Sequence, residues 1–217
     1  MINRKSLALG AAAFLLLTGA GITAAPAAFA GTPGGTDASD RNSDFDGDGY
    51  DDVLTGAPGG TVGGQEGAGY VTVQYGSASG IGTAHTLPRV RTAVLSQATA
   101  GIAGAAEAGD AFGASVATGD VNADGYDDAI IGSPGEDLDG VVDAGRASVL
   151  YGSASGLRGT GSVSLEAVEP TREAGYGGAV AAARFTAATP GDGIAVSDDE
   201  GVDVFSDEGP MLRVTRL

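Results

Sequence analysis

The sequence contains no cysteine, no tryptophan, one histidine and one lysine. Without cysteine there is no disulfide framework and no thiolate for a nucleophile, a zinc site or a lipid anchor. The lone histidine, His85, sits in a small polar stretch that reads as a solvated loop. No G-x-S-x-G accompanies it, so no serine-histidine hydrolase site can be traced. Glutamate is scarce and nine of the 20 aspartates fall in two loops described below, which leaves less for paired-acid glycoside chemistry. Cations are scarce as well, with 11 Lys and Arg against 28 Asp and Glu. An acidic chain is a poor partner for nucleic acid and a good one for divalent cations. The 39 glycines argue against helical bundles and for many short strands joined by tight turns, and Pro plus Gly stays below the level of a disordered chain.

Residues 1–30 read as a secretory signal peptide. Arg4 and Lys5 form its charged start, an apolar run begins near Leu7, and Ala28-Phe29-Ala30 is a small-x-small cleavage site. An uncleaved anchor is the alternative, because the apolar run nearly reaches bilayer length, but Gly10, Gly19, Gly21 and Pro26 favour removal. The remaining chain keeps all 28 acids and nine arginines, a net charge of −19, and is expected to be extracellular, with possible cell-wall association and no membrane contact. Residues 31–43 are small and polar, a flexible leader.

Two aspartate-rich stretches stand 76 residues apart: Asp44-Phe-Asp-Gly-Asp-Gly-Tyr-Asp-Asp52 and Asp120-Val-Asn-Ala-Asp-Gly-Tyr-Asp-Asp128. Carboxylates this close repel one another unless a cation lies among them, and hard cations take oxygen ligands. The first loop offers Asp44, Asp46 and Asp48, the carbonyl of Tyr50, and Asp52. The second offers Asp120, Asn122, Asp124, the carbonyl of Tyr126, and Asp128. Gly49 and Gly125 follow the third acidic position, where the chain must turn sharply. The first half matches an EF-hand loop, but the twelfth positions are Thr55 and Ile131 rather than a bidentate Glu. A strand-like run follows each loop at once, so each belongs to a β-hairpin. Two Ca²⁺ sites are expected, in preference to Mg²⁺ with its octahedral demands. On carboxylate count alone the first loop should bind more tightly, because Asn122 replaces an aspartate.

The loops belong to repeats. The clearest copy covers 112–175: strands at Phe112–Ala117, Ala129–Ile131, Gly145–Tyr151 (with Ala147, Val149 and Tyr151 on one face) and Ser162–Val168, with an acidic loop from Glu136 to Ala144. The copy at 44–111 repeats the Gly-Ser-Ala-Ser-Gly turn letter for letter but lacks the opening Phe-Gly strand; its fourth strand falls in Leu87–Leu95. A worn copy at 176–217 starts at Tyr176-Gly177. There Arg184 takes the first ligand position of a loop running to Asp192, so no metal is expected, and strands are expected at Gly193–Ser197, Val202–Phe205 and Met211–Val214. Four strands per copy with glycine punctuation predicts an all-β fold of propeller blades, three repeats and about 11 strands, short of the 4–8 blades that close a ring.

Phe112-Gly113, Ser133-Pro134 and Gly56-Ala57-Pro58, bracketing a D-x-[DN]-x-D-G-x-x-D loop, resemble the FG-GAP repeat of integrin α-chain propellers and of many secreted bacterial proteins. The Tyr-Gly-Ser-Ala-Ser-Gly turn looks like the bacterial branch. The resemblance implies structural Ca²⁺ at the ten positions named, held in hairpin loops at the blade rim. It also implies a non-catalytic binding or adhesion module, with an accessory or remnant module of a secreted hydrolase as the alternative. The expected partner is an unknown extracellular protein or glycan, for which the 97–111 connector and the Glu136–Asp143 loop are the first candidate loops, or a second copy joined through open blade edges. A stable open array and a shortened relic are the other outcomes for an unclosed ring.

Overall fold

A computed structural model describes residues 43–78, 80–81, 91–185, 187, 189–206 and the backbone of 209–215. The signal peptide, most of the leader, His85 and the first residues of the Leu87–Leu95 strand lie outside the described residues. Among the described residues there is no helix, and eleven strands form three antiparallel sheets. The first contains β1 (Val53–Ala57), β2 (Tyr70–Gln74) and β3 (Thr92–Leu95), in that order. The second contains β4 (Ser115–Gly119), β5 (Asp128–Ser133), β6 (Arg146–Leu150) and β7 (Val163–Leu165). The third contains β8 (Ala179–Ala183), β9 (Gly193–Ser197), β10 (Gly201–Ser206) and β11 (Gly209–Thr215). Each sheet is a meander of neighbours in sequence, and the whole is a partial β-propeller. Among the described residues the first blade has three strands, and β11 completes its own blade beside β10.

The middle blade is buried on both faces, which its central strand β5 shows as the continuous apolar run 129–131 rather than an alternation. On β5, Ala129 and Ile131 join the core shared with the first blade, while Ile130 joins the core shared with the third. On β6, Ala147 and Val149 face the third blade, with Tyr151 packed against them, and Leu150 faces the first. The end blades keep a wet outer face: Val53 and Val94 are exposed on the first, and Ala179, Ala181 and Ala183 on the third.

Two strands are shorter than their sequence patterns. The fourth strand of the middle blade pairs only over Val163–Leu165. More tellingly, Phe112-Gly113 is not part of β4, which begins at Ser115. The dipeptide is a plug. Phe112 is fully buried, Gly113 has φ +90°, and the backbone N–H groups of Ala111 and Phe112 donate to the carbonyls of Gly67 and Ala68 in the preceding blade. Tyr176-Gly177 repeats this on the second blade, donating from Gly175 and Tyr176 to Asp143 and Ala144.

Each plug needs a socket of two glycines. A Cβ on Gly56 would lie 1.9 Å from the Gly113 carbonyl oxygen, and one on Gly69 would lie 2.3 Å from that of Phe112. A Cβ on Gly132 would lie 1.9 Å from the Gly177 oxygen, and one on Gly145 2.3 Å from that of Tyr176. The registers Gly56↔Val71, Gly132↔Ala147 and Ser197↔Val202 place Ser197 and Glu200 at the corresponding positions of the third blade. Neither is glycine, so the third blade has no such socket.

Candidate metal centre

The two aspartate loops adopt one geometry. In the first, Asp44 Oδ1 accepts from the N–H groups of Gly47 (2.8 Å) and Asp48 (3.1 Å), and its Oδ2 from Gly49 (2.8 Å). In the second, Asp120 Oδ1 accepts from Asp124 (3.1 Å) and its Oδ2 from Gly125 (3.1 Å). The third and fifth positions each turn the chain onto the residue two further on. Asp46 accepts from Asp48 at 3.3 Å and Asn122 from Asp124 at 2.9 Å; Asp48 accepts from Tyr50 and Asp124 from Tyr126, both at 3.0 Å. Such side-chain-to-backbone turns explain why Asp and Asn occupy these positions. Gly49 and Gly125, at φ +86° and +89°, supply the left-handed turn.

In the first loop one oxygen each from Asp44, Asp46 and Asp48 gather within 4.8 Å of one another. Asp52 stands apart from that group. Its Oδ2 accepts from Phe45 N–H (2.9 Å) and its Oδ1 from Gly76 N–H (2.7 Å). Asp128 does the same with Val121 (3.0 Å) and Gly152 (2.9 Å). The ninth aspartate therefore ties the second loop residue to the turn after the next strand, and each of its oxygens keeps lone pairs beyond those bonds. The donor set is all oxygen, densely acidic and preorganised by backbone turns, which fits a hard divalent cation.

The loops are also joined to each other, and here sequence reasoning missed a residue. Asp127, the eighth of its loop, is buried; its Oδ2 accepts from Asp44 N–H (2.9 Å), and its own N–H donates to the Asp44 carbonyl (3.1 Å). Ser153 N–H donates to the Phe45 carbonyl, and the Tyr126 ring lies against Gly47, where a Cβ would come within 2.6 Å. The available signal was the Asp-Asp doublet at the eighth and ninth positions of both loops. In the third blade Asp192 N–H donates to the Asp120 carbonyl at 2.8 Å. The loop from Arg184 is one residue longer than its counterpart, since β8 ends at Ala183 and Gly193 pairs with it as Asp128 pairs with Gly119. Asp192 thus corresponds to Asp127 rather than to Asp128, a shift of one from the sequence alignment. The ninth position is Gly193, and Arg184 donates to the Pro190 carbonyl of its own loop.

Burial dominates the electrostatics. It raises Asp52 and Asp128 to about 7 against the pull of two backbone N–H bonds each, with neighbouring aspartates adding to the rise. It raises Asp127 to about 6, and Asp110, beside Glu107 and Asp137, to about 6. A carboxyl whose folded-state pKa exceeds its unfolded value of about 3.9 holds more protons when folded, so stability falls as pH rises through the interval between the two. In chelator the melting temperature should therefore be higher at pH 5 than at pH 7.5. Saturating calcium should flatten or reverse that slope, because a bound dication favours the ionised form. Melting curves at both pH values, with and without calcium, check this; a chelated protein more stable at pH 7.5 would contradict it.

An incomplete propeller whose blades are entered through aspartate-rich hairpin loops defines the class of protein. The family model of the FG-GAP repeat matches residues 41–73 and 112–150, which hold both loops and the first two blades' central strands. Over those two segments the chain carries FG-GAP repeats, which indicate an integrin-like propeller module. The third blade continues the same strand order outside the matched segments. FG-GAP repeats are typically non-catalytic binding modules and occur in extracellular proteins. A search of curated proteins finds no match.

Proposed function

We propose that the protein is a secreted, calcium-binding FG-GAP module with a non-catalytic binding or adhesion role. The gathering of Asp44, Asp46 and Asp48 carboxylates within 4.8 Å carries the calcium reading, and the matching turn bonds around Asp120, Asn122 and Asp124 extend it to a second site. Tyr50, Asp52, Tyr126 and Asp128 complete the two ligand sets. Calcium bound there supplies positive charge to a cluster that is otherwise self-repelling. The protein's own part is structural: Asp127, Phe45 and Ser153 join the two loops, so order in the loops is order at the blade junction.

Partner binding falls to the other end of the blades. β5 runs from the second aspartate loop to the Glu136–Asp143 loop, so the two lie at opposite ends of the strand. The 97–111 connector meets that acidic loop directly: the Gln97 amide donates to Glu136, and Gly135 N–H donates to the Asp110 carbonyl. The two loops form one surface, fit for an extracellular protein or glycan. Self-association by the plug-and-socket junction is disfavoured, because Ser197 and Glu200 stand where a following blade needs glycine.

Calcium titration calorimetry of the full chain tests the reading. Two binding events are expected, with Asp48→Asn removing one and Asp124→Asn the other. With calcium 100-fold above Kd, each site should add about 2.7 kcal/mol to stability. A chain that takes up no calcium and melts identically in chelator would refute the reading.

A further inference from the structure

The first loop already holds a cation of its own. Arg91, immediately before β3, donates through Nη1 to Asp46 Oδ2 at 2.5 Å. Its guanidinium lies over the Tyr75 ring, 4.0 Å from the centroid, and Nη2 donates to the Ser155 carbonyl in the turn of the next blade. Carboxylate, aromatic face and carbonyl together fix the planar guanidinium. The side chain bridges the first loop to the Ser153–Gly156 turn.

The second loop has no counterpart. The pairs Val73↔Ala93 and Val149↔Val163 are equivalent, so the residue matching Arg91 is Gly161, where a Cβ would meet open space. Asn122 stands in place of Asp46, and its amide donates to Asp124 Oδ2 at 3.0 Å. The first loop therefore sets four ligand-position aspartates against one arginine, and the second sets three against none. With every carboxylate ionised, the ligand positions of each loop, Arg91 included, sum to −3, and the extra carboxylate of the first loop is the one that Arg91 engages.

We propose that Arg91 is a tethered counter-cation that competes with a divalent cation for the first loop. The second loop is then the tighter site, reversing the order that carboxylate count gives. Because Arg91 also bridges to the next blade, filling the first loop is linked to loosening of that bridge, and strengthening the bridge weakens metal uptake by the same factor. The inference rests on the calcium reading above.

The test is calcium titration calorimetry on the full chain in two backgrounds, with circular dichroism to verify folding. In Asp124→Asn, which leaves the first loop, adding Arg91→Gln should tighten calcium binding about three- to fivefold, the scale of one exposed ion pair. In Asp48→Asn, which leaves the second loop, Arg91→Gln should change nothing. Arg91→Lys, which keeps the charge, should stay closer to wild type than Arg91→Gln does. Weaker or unchanged first-loop binding in Arg91→Gln, or a first loop tighter than the second in the otherwise wild-type chain, would overturn the competition while leaving the calcium sites standing. Calcium uptake by none of the proteins, wild type included, would remove the calcium reading and the competition with it.

Discussion

Gly132→Ala should unfold or separate the second and third blades, at a cost of about 4 kcal/mol or more, in the range reserved for severe backbone or core disruption. The added methyl would lie 1.9 Å from the Gly177 carbonyl oxygen and 2.4 Å from Ser115 Oγ, which itself donates to Gly177 at 2.7 Å. Backbone cannot yield as a flexible side chain does, so Tyr176 would have to leave its fully buried place between the blades. Gly59→Ala is the matched control: nothing lies within 4 Å of the new Cβ and its φ is not in the left-handed region. There, reduced freedom of the unfolded chain should stabilise by up to about 1 kcal/mol. Chemical denaturation of both variants decides the matter. Equal stabilities would mean that the blades are not held in the plug-and-socket register.

Arg146→Met should cost about 3–5 kcal/mol, the cost of leaving a buried charge without its partner. Arg146 Nη1 donates to Glu136 Oε1 at 2.7 Å, with side-chain exposures of only 12% and 5%. Its Nη2 reaches Glu166 Oε1 at 2.9 Å, and Gln97 donates to the other Glu136 oxygen. Burial already raises the Glu136 pKa, and Arg146 is one of the groups holding it down. Without Arg146 the folded-state value rises further above the unfolded one, so the loss of stability should grow as pH increases from 5 to 8. Glu136→Gln in the Arg146→Met background should restore part of the loss, a coupling readable in a double-mutant cycle. A cost below about 1 kcal/mol, flat with pH, would place this pair with ordinary surface ion pairs.

Both predictions concern groups that strand pairing and blade packing bring together, and that marks the boundary of what the sequence shows. The aspartate spacing around Asp44 and Asp120, the glycines that turn each loop and the alternation along Gly145–Tyr151 all depend on neighbours a few residues away. Side-chain period and local turn chemistry dictate them, and they appear in the fold much as read. The lack of a Phe-Gly pattern before Asp44 was equally legible, and among the described residues the first blade has three strands.

Other features depend on which residues arrive opposite one another. Phe112-Gly113 has strand-like composition, yet it turns out of β4 because the preceding blade offers it two carbonyls and a glycine-lined slot. Asp127 falls outside the ligand spacing, and only Asp44, 83 residues away, gives it a partner. Arg91 reaches Asp46 across 45 residues, and nothing near either residue announces the pair. The sequence by itself determined that this is a chain of β-blades opened by acidic, oxygen-rich loops, because hydrophobic period and ligand spacing are local properties. Only the tertiary structure decided which acids join blades and which loop meets a built-in cation, because blade-to-blade packing brings those groups together.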